Sequence, residues 1–273
     1  MSKMKLPNLT LLQAYLKTAT SAATSGGKIL KKYWKNVKQI EDKSTAGDLV
    51  TEADKESEKI ILQMITEAYP DHAILAEESS EKHLSSSSDF LWVIDPLDGT
   101  VNYAHQNPMV AISIALLYQN KVVVGVVFNP FYQELFQAIK GMGATLNGEK
   151  ITVSQTRALD KSLLATGFAY DRRTTTDTNY PEFCHLTNLT HGVRRFGAAS
   201  LDLAFVAAGR FDGYWERGLK PWDMAAGALL VQEAGGKISA YNETPFDLQS
   251  GKILATNGML HHALSQELLN LSM

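Results

Sequence analysis

Apolar residues recur at helical spacing over two stretches near the start of the chain. The first covers residues 9–34, where the pair Gly26-Gly27 interrupts the pattern, and it predicts one long or kinked helix. The second runs from Thr51 to Tyr69 and predicts another helix, because Thr51 suits an N-cap, acids follow it and a proline closes the stretch. The chain therefore begins with two helices.

After residue 72 the pattern changes to short apolar runs between turn residues, which is typical of strands. The predicted strands of this part are Ala73–Ala76, Leu91–Ile94, Val110–Tyr118, Val122–Phe128 and Glu134–Ile139. The turn-rich segment Gly141–Gly148 marks a domain boundary, beyond which predicted strands and helices alternate. We therefore expect a layered α/β (α+β) fold, with an N-terminal α+β domain over residues 1–147 and a C-terminal α/β domain over residues 148–273.

Composition narrows the class of protein. With 273 residues, 45% of them apolar and 20% charged, the chain can bury one large core or two fused ones. Its net charge of −3 argues against a dedicated nucleic-acid binder. The single cysteine, Cys184, excludes an internal disulfide and a thiolate metal cluster, fits a reducing compartment, and is expected to be buried as a small apolar residue.

Membrane and secretion signals are weak in this sequence. No apolar run approaches the roughly 20 residues that a transmembrane helix needs. The apolar stretch near the start does not fit a signal peptide, because Asn8, Gln13 and Lys17 interrupt it. We therefore expect a cytoplasmic protein that does not bind a membrane.

One apolar run ends in acidic residues. It delivers Asp95 at the carboxyl end of a predicted strand, Pro96 is expected to end the ladder, and the chain then turns at Asp98 toward a short helix. Two carboxylates three residues apart can face one point, where the main-chain N–H groups of Gly99 and Thr100 can bind an anion. The alternative is an Asx-turn in which Asp98 bonds only its own backbone.

Acids follow buried segments at two other places. Glu77 and Glu78 come directly after a strand, and Asp223 opens an Ala- and Gly-rich helix. On the simpler interpretation, the two glutamates are surface acids and Asp223 is an N-cap. If Glu77 and Asp223 instead converge with the two strand-end aspartates, each pair about 4 Å apart repels by about 4 kcal/mol at an effective dielectric of about 20. The cluster must then hold metal ions or protons. All-oxygen ligands favour Mg²⁺ or Mn²⁺ over zinc.

The same acids belong to four ordered motifs. These are Asp48-Leu-Val-Thr51-Glu-Ala-Asp54, Ala76-Glu77-Glu78-Ser79, Ile94-Asp95-Pro-Leu-Asp98-Gly99-Thr100-Val-Asn102-Tyr103 and Trp222-Asp223-Met-Ala225-Ala226-Gly227. Their order and spacing resemble the inositol monophosphatase family of Mg²⁺-dependent, lithium-sensitive phosphatases, over about residues 10–265. The resemblance implies the sugar-phosphatase fold of alternating helix and sheet layers (αβαβα) and a homodimer.

The resemblance also implies a metal site. Glu77, Asp95 and the main-chain carbonyl of Leu97 would bind a first metal ion. Asp95, Asp98 and Asp223 would bind a second, and a weaker third ion would bind at Glu77. We expect two or three Mg²⁺ ions in each active site, with Mn²⁺ as a possible substitute.

Catalytic and substrate-binding roles follow from the same resemblance. Asp54 would pair with the Thr100 hydroxyl to orient the attacking water, and Glu77 would take part in catalysis through the metal-bound water. The positions that would contact the phosphate ester or lie beside it are Lys43, Leu97, Asp98, Gly99, Thr100, Gly197, Ala198, Ala199, Glu216 and Asp223.

The implied reaction is the hydrolysis of myo-inositol monophosphates to inositol and phosphate, by attack of a metal-activated water and without a covalent phospho-enzyme. One alternative is a phosphatase of the same fold that acts on 3′-phosphoadenosine 5′-phosphate, fructose 1,6-bisphosphate or histidinol phosphate. Another is a regulatory member of the family with an added RNA- or protein-binding role. Its surface would be the basic run of Lys28, Lys31, Lys32, Lys35 and Lys38.

Other patterns in the sequence give weaker evidence of function. The spacing from Gly143 to Gly148 is not followed by the Lys-Ser/Thr of a nucleotide P-loop. The two strand-end aspartates lie three positions apart, whereas phosphatases of the haloacid dehalogenase type need acids two apart. We expect the pair His261-His262 to be solvated, and the lysine run to be a solvated helix face, so nucleic acid is not an expected partner.

Overall fold

The computed structural model describes residues 6–36, 40–43, 48–79 and 88–271. Its α-helices are α1 (Leu9–Tyr33), α2 (Glu52–Ala68), α3 (Thr100–Ala104), α4 (Tyr180–Leu189), α5 (Ala199–Ala207), α6 (Pro221–Glu233) and α7 (His261–Leu271). Its strands are β1 (Ile40–Asp42), β2 (Leu49–Thr51), β3 (Ala73–Ala76), β4 (Phe90–Asp98), β5 (Ala111–Tyr118), β6 (Lys121–Asn129), β7 (Glu134–Ile139), β8 (Gly143–Leu146), β9 (Glu149–Ile151), β10 (Leu163–Thr166), β11 (Gly192–Arg194), β12 (Gly213–Arg217), β13 (Lys237–Ser239) and β14 (Lys252–Thr256). Within these ranges, every helix is too short or too polar to cross a bilayer.

Two large sheets organise the strands. The first has seven strands in the order β3-β4-β5-β6-β7-β8-β9 and is antiparallel except for the pair β3–β4. The second has five strands in the order β11-β10-β12-β14-β13 and mixes parallel with antiparallel pairs. This agrees with the predicted contrast between a mostly antiparallel first part and an α/β second part.

Helices and sheets alternate in five layers. The pair α1 and α2 packs on one face of the seven-stranded sheet, and the pair α5 and α6 lies between the two sheets. The pair α4 and α7 packs on the outer side of the five-stranded sheet. Separate apolar cores fill these interfaces, the largest of them around α5 and α6. The predicted αβαβα arrangement is confirmed.

The glycine pair in α1 serves close packing, and the predicted long helix is confirmed. A Cβ atom on Gly26 would come within 2.9 Å of the Ile61 side chain in α2. One on Gly27 would come within 2.7 Å of the Phe128 ring in β6. The helix runs without a break from Leu9 to Tyr33. The two glycines are needed because α2 and β6 pack closely against them, and not because the backbone of the helix requires glycine.

The end of β4 differs from the expectation that Pro96 stops the ladder. The strand continues to Asp98, which pairs with Ala111, and the register with β5 shifts between Asp95 and Asp98. Proline has no N–H to donate, and the irregularity takes up the missing ladder bond. Two of the predicted metal ligands, Asp95 and Asp98, lie at this shift.

The predicted boundary segment Gly141–Gly148 contains more structure than expected. It holds β8, and its last two residues form the turn between β8 and β9. The seven-stranded sheet therefore runs to Ile151, a little past the proposed end of the first domain at residue 147. The division into two domains stays a prediction.

Two predictions for single residues were wrong. Cys184 is exposed on α4 and not buried. His261 is 1% exposed, with Nε2 2.7 Å from the Ser239 hydroxyl and Nδ1 2.9 Å from the Thr256 hydroxyl. Only His262 is solvated, as expected for the second member of the pair.

Substitution of Gly125 tests the contact between β6 and α6. A Cβ atom there would lie 2.9 Å from the main-chain oxygen of Ala226, which cannot move without shifting the helix. We expect Gly125→Ala to lower the free energy of unfolding by about 1–3 kcal/mol in urea denaturation followed by circular dichroism. Lys121→Ala, exposed on the same strand, is the control and should change it by less than about 0.5 kcal/mol. Equal stability of Gly125→Ala and the wild type would contradict the close packing.

His261 makes stability depend on pH. Burial lowers the pKa of this imidazole to about 4, and the charge of Lys237 adds to the effect. The folded state therefore holds the ring neutral, so its contribution is complete above the unfolded pKa of about 6.5 and is lost as pH falls toward 4. We expect the free energy of unfolding to decline less between pH 6.5 and 4 in His261→Asn than in the wild type. Parallel pH curves for the two proteins would exclude His261 as a source of acid sensitivity.

Candidate active site

The carboxyl end of β4 holds two buried aspartates. Asp95 and Asp98 are 2% and 8% exposed. The Leu97 N–H donates to Asp95 Oδ1 at 2.9 Å, and the Ser57 hydroxyl of α2 donates to the Pro96 carbonyl at 3.0 Å. The first bond fixes the irregular end of β4 from within the strand, and the second holds this end to α2.

Asp98 reaches from β4 to the start of α5. The N-cap residue of α5 is Ala198, whose methyl group cannot accept a hydrogen bond. The Ala199 N–H donates to Asp98 Oδ1 at 3.2 Å, and the Ser200 N–H and hydroxyl donate to Oδ2 at 2.7 and 2.6 Å. The carboxylate thereby caps the positive end of the helix. It also brings the predicted substrate-binding segment from Gly197 to Ala199 beside a predicted metal ligand.

Glu77 and Glu78 follow β3, which runs parallel to β4. The Glu77 N–H donates to the Ile94 carbonyl at 3.2 Å, so this glutamate lies level with the end of β4. Lys43 Nζ donates to both glutamates at 2.7 Å, and their side chains are only 19% and 8% exposed. The interpretation of these residues as surface acids is therefore wrong, and the structure places Lys43 against Glu77.

Asp223 is the third residue of α6 and not its N-cap. The helix begins at Pro221, and the N-cap is Lys220, whose N–H donates to Asp223 Oδ2 at 2.6 Å. The Ser113 hydroxyl of β5 donates to the Trp222 carbonyl at 2.9 Å and holds the start of the helix against the seven-stranded sheet. The interpretation of Asp223 as the N-cap is therefore wrong. Its side chain instead folds back over the first turn to reach the N-cap residue.

The charges of these acids act on one another. Burial raises the pKa of Asp95 well above its usual range, and the charges of Glu77, Asp98 and Asp223 raise it further. Burial likewise raises the pKa of Asp223, and the charges of Glu77 and Asp98 add to it. In the described part of the chain, no three acidic, histidine or cysteine side chains are arranged so that they could bind one metal ion. The carboxylates are instead turned toward Lys43, the α5 amides and the Lys220 amide.

The donor set fits a hard divalent cation. Among the described residues, the converging side chains are carboxylates with no histidine or cysteine nearby in the cluster. A carboxylate oxygen has two lone pairs, so the hydrogen bonds described above leave acceptor capacity for an ion. Positive charge would also remove the repulsion among buried acids. The ligands that would hold it are Glu77, Asp95, Asp98, Asp223 and the Leu97 carbonyl, which stay predictions.

Asp54 and Thr100 form a buried pair next to this cluster. The Thr100 hydroxyl donates to Asp54 Oδ1 at 3.0 Å, and the Thr51 N–H and hydroxyl donate to Oδ2 at 2.8 and 2.5 Å. Burial raises the pKa of Asp54 to about 6, against the opposing effect of the Thr51 hydrogen bonds. Gly99 adopts φ +94° and lets the chain turn from β4 into α3, which places Thr100 at the helix start.

Glu216 lies on β12, at the side of the site formed by the five-stranded sheet. It is 8% exposed and accepts a hydrogen bond from the Tyr214 hydroxyl at 2.5 Å. Burial raises the pKa of Glu216 to about 7. A Cβ atom on Gly167 would collide with its carboxylate, so the residue after β10 must be glycine for Glu216 to lie here.

Sequence reasoning missed two residues of this region. Ser200 binds Asp98 with its N–H and its hydroxyl, and its place directly after the Gly197–Ala199 segment could have revealed it. Tyr170 lies near the acid cluster, whose charges act on its phenol. No local pattern marks Tyr170, because its position depends on how β10 pairs with β12.

The chain is similar over nearly its whole length to known phosphatases. The model of the inositol monophosphatase family matches residues 11–272. An inositol-1-monophosphatase of Synechocystis sp. is 58% identical over 257 residues, which cover 94% of this chain and 89% of that protein. A protein of Pseudomonas aeruginosa named Nus factor SuhB is 45% identical over 260 residues, which cover 93% of this chain and 95% of that protein.

Solved structures agree with the fold. The inositol monophosphatase of Anabaena (Nostoc) superposes with a TM-score of 0.88 at 52% identity, over 95% of this chain and 97% of that one. An IMPase/NADP phosphatase complexed with Mg²⁺ and phosphate superposes with a TM-score of 0.82 at 25% identity, over 94% and 96% of the two chains. The family model and the 58% identical relative show that the chain is a phosphatase. Within that class, the chain belongs to the inositol monophosphatase family.

Asp95→Asn tests the electrostatics of the cluster without an activity assay. In metal-free buffer we expect the variant to unfold at a higher temperature than the wild type, because one of the mutually repelling buried charges is gone. Mg²⁺ at about 100 times its Kd should stabilise the wild type by about 2.7 kcal/mol and the variant far less. Differential scanning fluorimetry measures both effects.

Asp160→Asn is the control for this experiment, because Asp160 is an exposed acid outside the cluster. It should respond to Mg²⁺ as the wild type does. An equal Mg²⁺ response in Asp95→Asn would mean that Asp95 is not a ligand.

Proposed function

We propose that this chain is a divalent-metal-dependent phosphomonoesterase that hydrolyses myo-inositol monophosphates to inositol and phosphate. The observation that carries the proposal is the effect of the charges of Glu77, Asp98 and Asp223 on the buried Asp95, next to the Thr100–Asp54 hydrogen bond. The 58% identity with an inositol-1-monophosphatase supports the substrate.

When bound, a divalent cation supplies positive charge to the phosphate oxygens and lowers the pKa of the attacking water. The ligands proposed for it are Glu77, Asp95, the Leu97 carbonyl, Asp98 and Asp223. We propose two or three Mg²⁺ ions per site, with Mn²⁺ as a substitute. The acids lie on separate elements, so the first ion would join the end of β3 to β4, and the second would join β4 to α6.

Thr100 is proposed to orient the attacking water. Its hydroxyl has one proton, which it donates to Asp54 at 3.0 Å or to the Leu97 carbonyl at 3.1 Å. The lone pairs of its oxygen therefore remain to accept a hydrogen bond from the water. Asp54 is fully buried and acts through Thr100 as a positioning residue. Glu77, whose side chain is partly exposed, is also proposed as a catalytic residue.

The substrate is proposed to lie between the two sheets. The main-chain N–H groups of Gly99 and Thr100 would face the phosphate. The start of α5, from Gly197 to Ala199, and Glu216 would contact the hydroxyl groups of the ring. Lys43 would balance the charge of Glu77 when no ion is bound.

Three finer points belong to the same proposal. We infer that the protein is a homodimer, and light scattering after size-exclusion chromatography would measure its molar mass in solution. We infer a cytoplasmic location, which fractionation of the source cells measures. Sensitivity to Li⁺ is inferred from the family and is measured by inhibition of phosphate release.

We expect phosphate release from myo-inositol 1-phosphate to require Mg²⁺ and to fall when Li⁺ is added. Thr100→Val should lower kcat by about 100-fold or more, because the water loses its hydrogen-bond acceptor. Thr100→Ser, which keeps the hydroxyl, should restore most of the activity. A malachite-green assay measures these rates, and full activity of Thr100→Val would rule out the proposed role.

The substrate class can be separated by comparing kcat/KM across phosphate esters. Myo-inositol 1-phosphate should be hydrolysed faster than 3′-phosphoadenosine 5′-phosphate, fructose 1,6-bisphosphate and histidinol phosphate. All four esters would bind at the same metal site, and contacts with Glu216 and α5 would distinguish them. A higher value for one of the other three esters would reassign the substrate within the same mechanism.

A regulatory role beside catalysis is the second candidate, favoured by the 45% identical protein named Nus factor SuhB. Lys28, Lys31, Lys32 and Lys35 are exposed at the end of α1, whereas Lys38 lies outside the described residues. Nucleic acid is still not the expected main partner of a chain with net charge −3. A gel-shift assay with the Asp95→Asn variant would detect RNA binding separately from catalysis.

A further inference from the structure

Residues 167–179, named here the 167–179 loop, connect β10 to α4 and close on themselves. The Asn179 side-chain amide donates to the Gly167 carbonyl at 2.6 Å and to the Thr166 hydroxyl at 2.8 Å, so the last residue of the loop is tied to the first. Trp215 Nε1–H of β12 donates to Asn179 Oδ1 at 2.7 Å. A loop whose ends meet in this way is an Ω-loop, a type that often carries function.

Arg217 holds the middle of this loop. Its side chain is 9% exposed, and its two terminal nitrogens donate to the carboxylate of Asp171 at 3.3 and 3.0 Å. Its Nε lies 3.2 Å from Asp177 Oδ1. One buried cation therefore binds two acids of the loop, and it follows Glu216 directly in β12. Without the charge of Arg217, Asp171 would lose its partner on the sheet, whereas Asp177 would keep Lys252 of β14, whose Nζ lies 3.1 Å from Asp177 Oδ2.

The first residues of the loop lie against the candidate site. Gly167 lies directly beside the Glu216 carboxylate, and Ala169 packs so closely on Gly218 that a Cβ atom on this glycine would collide with it. Tyr170 comes next and is 40% exposed, so part of its ring faces open space. Burial of the rest of the ring raises the pKa of its phenol, and acids of the site add to this effect. Those acids are Asp48, Glu77, Asp98 and Asp223.

We propose that the 167–179 loop is a wall of the substrate pocket, held in place by Arg217, and that Tyr170 selects phosphate esters of ring-shaped polyols. This inference rests on the proposed function and names its specificity-determining residue. The half-exposed ring of Tyr170, three positions after the glycine that adjoins the Glu216 carboxylate, offers a flat apolar surface. A cyclic polyol presents a broad C–H face that can pack on such a ring, whereas a short open-chain polyol does not.

The experiment compares kcat/KM for myo-inositol 1-phosphate with kcat/KM for glycerol 2-phosphate, both in Mg²⁺. In Tyr170→Ala, the ratio of the two values should fall about tenfold, mainly through a higher KM for the ring substrate. Tyr170→Phe keeps the aromatic face and should keep most of the ratio. Tyr132→Ala is the matched control, because Tyr132 is an exposed tyrosine on the turn after β6, and it should keep the wild-type kinetics.

Arg217→Met tests the anchoring. It should lower the same ratio and make the 167–179 loop easier to cleave by a protease. Arg210→Met, which removes an arginine paired with Glu134 outside the site, is its control. Should Arg217→Met fail to fold by circular dichroism, Asp171→Asn removes the Arg217–Asp171 ion pair from the exposed side and leaves the Lys252–Asp177 pair in place.

The outcomes are distinct. A wild-type ratio in Tyr170→Ala would overturn the role of Tyr170, and a wild-type ratio with an unchanged cleavage rate in the Arg217 variant would overturn the anchoring. If the wild-type protein released phosphate from neither ester in Mg²⁺, the proposed function would fail and this inference with it.

Discussion

Repulsion among buried carboxylates is the constraint on which this structure depends. Asp95 and Asp98 are almost fully buried, and the charges of Glu77 and Asp223 act on Asp95 as well. Such an arrangement is unfavourable for an isolated folded chain, because the net stability of a domain is only about 5–15 kcal/mol. The fold tolerates it by giving most of these acids a partner of its own: Lys43 for Glu77, the α5 amides for Asp98 and the Lys220 amide for Asp223. A site built in this way favours the binding of cations, and with them of phosphate.

The elements that hold the acids come from all parts of the fold. Asp95 and Asp98 lie where the register of β4 shifts, Glu77 follows the neighbouring parallel strand, and Asp223 lies in the first turn of α6. The apolar core around α5 and α6 fixes these elements relative to one another. Close packing, such as that of Gly125 on Ala226, keeps the helix layer tight against the seven-stranded sheet. The rigidity of the site is therefore a property of the core and not of its own hydrogen bonds alone.

Much of this could be predicted from the sequence, and the failures have physical causes. Periodicity located α1 and α2 closely, since a long amphipathic pattern is a strong local signal. The motif acids were expected to converge, and the charges of Glu77, Asp98 and Asp223 all act on Asp95. The burial of His261 and the exposure of Cys184 were missed because they depend on which neighbours the fold brings in. Tyr170 was missed for the same reason: its neighbourhood is set by pairing between strands almost 50 positions apart.

The hydrogen bonds from Ala199 and Ser200 to Asp98 also bear on how a ligand can enter. Asp98 belongs to the seven-stranded sheet and α5 to the layer that faces the five-stranded sheet, so this contact bridges the two. Any hinge-like opening of the molecule along this seam would strip a buried carboxylate of three donors at once and leave a helix end bare. Domain closure of the kind found in many kinases is therefore a costly route for this architecture.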